Sequence, residues 1–241
     1  MEQIPLVRLW LSRAGDYPLS IWLFQSVSPS DSEVQATNEV FSLLVAHLHR
    51  WKTIDFSFPV NVPQALLSMP HGAAAILETA RIRPPRADRA GVDNLWRALH
   101  SSQTICRANW EGFYRTEPPD HAPWGQLTYI NLEGHHSSDV VLGVLQHCRR
   151  VADLTLSLIS SEISESIQTP PFVLPHLRQM CISSQTNLRQ LFQNLVLPSL
   201  LSLDLAYRFY ADASRSFLPL DDLMHRSQCE LSKLTLHVIE P

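Results

Sequence analysis

Glycine is scarce in this chain, at 7 of 241 residues. A dinucleotide fold needs glycines where the backbone approaches a pyrophosphate, and no phosphate-cradling glycine loop occurs. The G-x-S-x-G elbow and the H-E-x-x-H helix are missing too. Cysteine is almost as sparse: Cys106, Cys148, Cys181 and Cys229 stand far apart and never form C-x-x-C. That spacing indicates neither a zinc site nor a disulfide framework, and ordinary reduced thiols are expected. No apolar run approaches the roughly 18–20 residues of a membrane span. Met1 to Arg8 lacks a basic stretch leading into an apolar one, so no secretory signal is read there. Positive charge is not in excess, with Lys+Arg 19 against Asp+Glu 23 and a net charge of −4. A nucleic-acid footprint normally shows as a basic domain, so none is expected. These absences lead us to expect no enzyme activity, no cofactor, no bound metal, no nucleic acid and no membrane, in a cytoplasmic or nuclear protein.

What the chain does have is repetition. Short stretches of the form apolar-x-x-apolar-x-apolar start at Leu127, Val151, Leu177, Leu200 and Leu231. Looser versions start at Pro18, Trp51, Leu77 and Ile105, so the eight intervals between the nine stretches run 33, 26, 28, 22, 24, 26, 23 and 31 residues. Because 45% of the chain is hydrophobic, three apolar residues at fixed offsets arise by chance roughly twenty times in this length. Spacing and strict final alternation set these nine apart, since a strand with one buried face must alternate. A period near 20–30 residues built on L-x-x-L-x-L predicts an α/β leucine-rich-repeat solenoid of about nine parallel strands. We read one domain over 1–241, with an N-terminal capping helix in 1–17 and repeats over 18–236. Leu154, Leu156, Leu203, Leu205, Leu234 and Leu236 are all expected to be buried.

Between strands the chain must return. Ser137, Ser138 and Asp139 precede the apolar run Val140 to Leu145, which predicts a capped helix. Helical returns are also expected over 38–44, 92–99, 188–193 and around 221–224. The paired prolines Pro118-Pro119 and Pro170-Pro171 predict irregular arcs. Residues 81–91, with Pro84-Pro85 and five charges, read as an exposed loop that either hosts a binding element or is a tolerated surface insertion.

Several phrases carry more than periodicity. They are Trp10-Leu11-Ser12-Arg13-Ala14-Gly15-Asp16-Tyr17-Pro18-Leu19-Ser20, His49-Arg50-Trp51-Lys52-Thr53-Ile54, Pro123-Trp124-Gly125-Gln126-Leu127-Thr128, Leu145-Gln146-His147-Cys148 and the segment from Arg226 to Leu236. In that order they resemble conserved phrases of the fungal (mushroom-type) F-box protein family, over nearly the whole chain. The resemblance implies leucine-rich repeats that hold a protein substrate for a ubiquitin ligase. In that family an N-terminal F-box of three helices binds the Skp adaptor. About nine residues precede Trp10 here, against the 40–50 such a module needs, so the F-box and adaptor binding are not expected in this chain. Two other readings stand beside this one: a non-ligase interaction scaffold on the same repeats, and, remotely, an α/β hydrolase or transferase.

For a docking site, alternation on the third and fourth strands turns Thr79, Arg81, Arg83, Arg107, Asn109 and Glu111 toward the concave face. Arg81, Arg83 and Arg107 then form a cationic patch suited to an acidic or phosphorylated peptide. The opposing reading is a solvated face partly neutralised by Asp55, Glu111 and Glu133. On the first strand Trp22 and Phe24 point outward, unless a helix over 6–11 covers Trp22 as a cap. Trp51, Trp110 and Trp124 are expected in the core. His135 and His136 are expected in a surface loop, with Ser137 and Asp139 acting as helix caps rather than ligands.

Overall fold

A computed structural model describes residues 3–58, 60–83, 88–110, 119–161, 170–207 and 218–238. The chain divides into two compact units, Met1–Phe113 and Tyr114–Pro241. Both are α/β, and every described strand pairing is parallel.

The first unit runs α1 (Gln3–Arg13), β1 (Leu19–Phe24), α2 (Asp31–Val45), β2 (Trp51–Ser57), α3 (Gln64–Leu67), β3 (Thr79–Arg83), α4 (Arg89–His100) and β4 (Arg107–Trp110). Its strands pair in chain order: β1 with β2, β2 with β3, β3 with β4. Successive helices touch, α1 on α2, α2 on α3 and α3 on α4. Between the layers sits an aromatic core. Phe41 of α2 meets Phe56 edge-on at 4.9 Å, and Trp51 meets Phe56 at 5.6 Å. The Trp51 indole N–H, fully buried, donates to the Leu44 carbonyl at 3.1 Å, so the polar end of the ring is satisfied. A second cluster stacks Trp96 on His100 at 4.9 Å, with Trp110 at 5.3 Å from Trp96.

Helix α4 replaces the end of the loop expected over 81–91. Arg81 and Arg83 belong to β3, and the helix begins at Arg89, leaving 84–87 outside the described residues. Its cap explains the start: Asp88 accepts from the Gly91 N–H at 3.0 Å. A side chain at Gly91 would overlap that carboxylate, so the capping aspartate would have to shift to admit one.

The second unit runs β5 (Tyr129–Ser137), α5 (Ser138–Leu145), β6 (Asp153–Ser161), β7 (Phe172–Val173), β8 (Gln179–Ser184), α6 (Arg189–Gln193), β9 (Leu195–Val196), β10 (Ser202–Tyr207), α7 (Leu218–Ser227) and β11 (Lys233–Val238). Five of its strands form one ladder in the order β5, β6, β8, β10, β11. On the returns, β7 and β9 pair as a separate two-residue parallel ladder that the sequence pattern did not announce. The arc predicted around Pro170-Pro171 leads into β7, while 162–169 lies outside the described residues.

Each of the nine motif stretches thus contains a strand, and the backbone repeats with them. The carbonyl of the second motif residue accepts N–H bonds from the second and third residues of the next motif. Glu78 accepts from Cys106 and Arg107, both at 3.0 Å, and Thr128 from Ala152 and Asp153 at 2.8 and 3.0 Å. Ala152, Arg178 and Leu201 do the same for the strands that follow them. One structural joint therefore recurs at five of the eight steps between motifs. The first motif residue turns inward at this joint: Trp51, Leu77, Ile105, Leu127, Val151, Leu177 and Leu200 are all buried.

The core expectation holds for four of its six leucines. Leu154, Leu156, Leu203 and Leu205 are buried, but Leu234 and Leu236 are 47% and 42% exposed. The correction has a simple cause. Among the described residues β11 is last in its ladder and pairs with β10 alone, so its apolar face lacks the flanking cover that central strands receive.

Candidate binding face

A strand with one buried face exposes the other. In the first unit Ile21, Ile54, Phe56, Ala80, Ile82 and Ala108 point into the core. Their neighbours point away, and the register aligns them in rows across the ladder. Trp22 lies opposite Asp55, which lies opposite Arg81. Phe24, Ser57 and Arg83 form a second row, and Thr53, Thr79 and Arg107 a third. The structure therefore brings Trp22, Arg81, Arg83 and Arg107 onto one face of one unit.

Their environments differ. Trp22 and Phe24 are 61% and 58% exposed. Helix α1 forms where the capping helix was expected and buries Leu11, yet it leaves Trp22 uncovered. Arg83 is tethered from two sides: its Nη1 donates to Asp55 Oδ1 at 2.8 Å, and its guanidinium carbon lies 5.1 Å from the Phe24 ring centre. Part of the positive charge on this face is thus neutralised by Asp55. Arg107 is exposed and Arg81 half-buried. Asn109 is a correction, because the register sets it opposite Arg81 but it is 7% exposed and therefore covered, not an open contact residue. Glu111 lies outside the described residues.

In the second unit the equivalent face is polar with a different sign. Asn131, Thr155, Cys181, Asp204 and Thr235 align in one row across its five strands. Asn131 donates to Glu133 at 3.0 Å, and His237 lies 3.7 Å from Asp204. Burial, then the Asp204 carboxylate, pushes the Cys181 thiol up, which makes it a poor nucleophile at neutral pH. Cys148 is pushed up by burial to about 12.

The histidine pair departs from expectation. β5 continues to Ser137 rather than ending in a loop, with a register irregularity after Leu132 where Gly134 adopts φ +136°. Alternation from Ile130 and Leu132 carries on through this stretch and turns His136 inward beside Ile159, leaving it 3% exposed while His135 stays outside. Burial, then the neighbouring His135, lowers the His136 pKa to about 4, so its ring is neutral at physiological pH. Neither ring nitrogen has a hydrogen-bond partner among the described residues. Ser137 caps α5 by accepting from the Val140 N–H at 3.3 Å, which is the role expected of this cluster. Among the described residues no three His, Cys, Asp or Glu side chains are grouped to hold a metal.

Trp51, Trp110 and Trp124 are buried, as expected. Beside Trp124 an open groove is lined by Pro119, Gly125, Gly143, Val144 and His147, and the sequence offered no sign of it. Among the described residues, no helix is long and apolar enough to cross a membrane. No protein-family model matches the chain, and no curated protein matches it either.

Proposed function

We propose that this chain is a protein-recognition module on the leucine-rich-repeat solenoid plan, serving as the substrate-binding part of an F-box-like ubiquitin-ligase receptor. One observation carries the reading. The same carbonyl joint recurs at five steps between consecutive strands, with apolar residues inside and a row of alternating side chains on the other face. Such a ladder places many side chains in a plane. It suits a partner that is itself a polypeptide. The family phrases between Trp10 and Leu236 add the ligase context.

Affinity capture with mass spectrometry tests it. The complete native transcript is expected to recover a protein partner that is lost when Trp22→Ser and Arg107→Glu are combined. Recovery is expected to persist when Gln35→Glu is placed on the exposed side of α2. Co-recovery of the Skp adaptor supports the ligase role, and repeated capture of partners without it favours a non-ligase scaffold. A partner indifferent to the strand face and lost on the helix-side change overturns the proposal.

A further inference from the structure

We infer that the first unit pairs with a second copy of this chain, across a two-fold axis that sets β1 antiparallel to β1 and α1 against α1. The inference does not rest on the recognition reading. Among the described residues, seven of the thirteen exposed large apolar side chains lie between Leu6 and Val27. They sit on or beside α1 and β1, the first helix and the first strand of the unit. Helix α1 is apolar on two sides. Leu11 is buried, with Ile4 and Val7 half-buried along the same stripe. Leu6, Leu9 and Trp10, at i, i+3 and i+4, line the other side and are open. A helix that ends at solvent keeps that side polar.

Strand β1 is equally unguarded. Among the described residues it pairs with β2 alone, so one of its edges has no strand beside it. Edge strands are ordinarily blunted by lysine, proline or a bulge. The last strand of the second unit, β11, follows that rule with Lys233 and His237. β1 does not: Leu19 to Phe24 carries no charge, and its register with β2 is unbroken from Ser20 onward. A second copy suits these features because a two-fold contact meets each surface with itself. No like charges are brought together on β1. Arg13, at one end of the open α1 stripe, falls at opposite ends of an antiparallel helix pair. Trp22 and Phe24 then stand across from the same rings of the other copy, as cross-strand pairs that stabilise a sheet. The area agrees. Leu6, Leu9, Trp10, Tyr17, Trp22 and Phe24 are 44–79% exposed. At about 200 Å² for a fully open large side chain they present roughly 700 Å², close to the ~800 Å² per partner of a standard interface.

Sedimentation equilibrium of the full chain at tens of micromolar reads the association. We expect a mass twice that of one chain. Leu6→Glu/Trp10→Glu on α1 and Ser20→Lys on β1 are each expected to raise the dimer dissociation constant at least about tenfold while keeping the circular dichroism of the wild type. Leu236→Lys, on β11, is expected to leave association unchanged. A monomer at that concentration overturns the inference, and so does a dimer indifferent to both the α1 and the β1 variants. Loss of association with Leu236→Lys alone, or growth into longer chains of copies, overturns it too, since the contact would then join unlike ends. If the chain is monomeric and a captured protein is lost with Ser20→Lys, the edge of β1 takes a foreign strand. This inference then fails and the recognition reading stands.

Discussion

Leu203→Ala is expected to lower the unfolding free energy by about 2–5 kcal/mol, whereas Leu234→Ala should cost about 1 kcal/mol or less. The two residues face each other in register across β10 and β11, so chemistry and local backbone are matched. Only their cover differs. Leu203 is fully buried between Met180 on one side and Leu234 on the other, and truncation there leaves a cavity that packed neighbours cannot close. Leu234, 47% exposed, already has water over much of its surface and gives up little more when shortened. Urea denaturation of the two variants measures the contrast. Equal losses would mean that β10 is not a central strand of its ladder.

Acidification supplies the second large effect. His136 is held neutral by burial, with its pKa lowered from 6.5 to about 4. The unfolded chain then binds a proton at pH values where the folded chain does not, so stability rises with pH across that interval. The contribution is complete above about pH 6.5 and is lost progressively as pH falls through 4. A drop of that size, at about 1.4 kcal/mol per pH unit, amounts to roughly 3 kcal/mol. His136→Leu removes the titration and fills the same apolar site. Urea midpoints at pH 7, 5.5 and 4 should therefore diverge, the wild type falling more steeply than the variant. Parallel curves would show that the imidazole is protonated in the folded state.

The sequence was a good guide to strands and a poor one to what covers them. All nine motif stretches contain strands because alternation is a direct imprint of one buried face, and that imprint survives in Trp51-Lys52-Thr53-Ile54-Asp55-Phe56 as in Leu200-Leu201-Ser202-Leu203-Asp204-Leu205. Seven of these strands begin two residues inside the motif, since the first apolar residue belongs to the turn that makes the carbonyl joint. The pairing of β7 with β9 was illegible because two residues carry no period. Burial of His136 was missed because β5 runs on past Leu132 where a loop was expected, and His136 then shares the inward face of Ile130 and Leu132. Exposure of Leu234 and Leu236 escaped for another reason. Periodicity names the apolar face of a strand, but only neighbouring elements decide whether that face is covered. Of the candidate site, Trp22, Arg81, Arg83 and Arg107 were readable from alternation, while the Arg83–Asp55 bond spans 28 residues and needed the register.

Site-specific photo-cross-linking tests the recognition role most directly. A benzoylphenylalanine replaces Thr79 or Thr155 on the strand faces, or Gln35 or Gly143 on the helices, and each protein is irradiated with its captured partner. The account predicts covalent adducts from a strand-face position and none from the two helix positions. Adducts confined to position 35 or 143 would contradict it, because the partner would then be held by the helices and not by the rows of side chains on the strand faces.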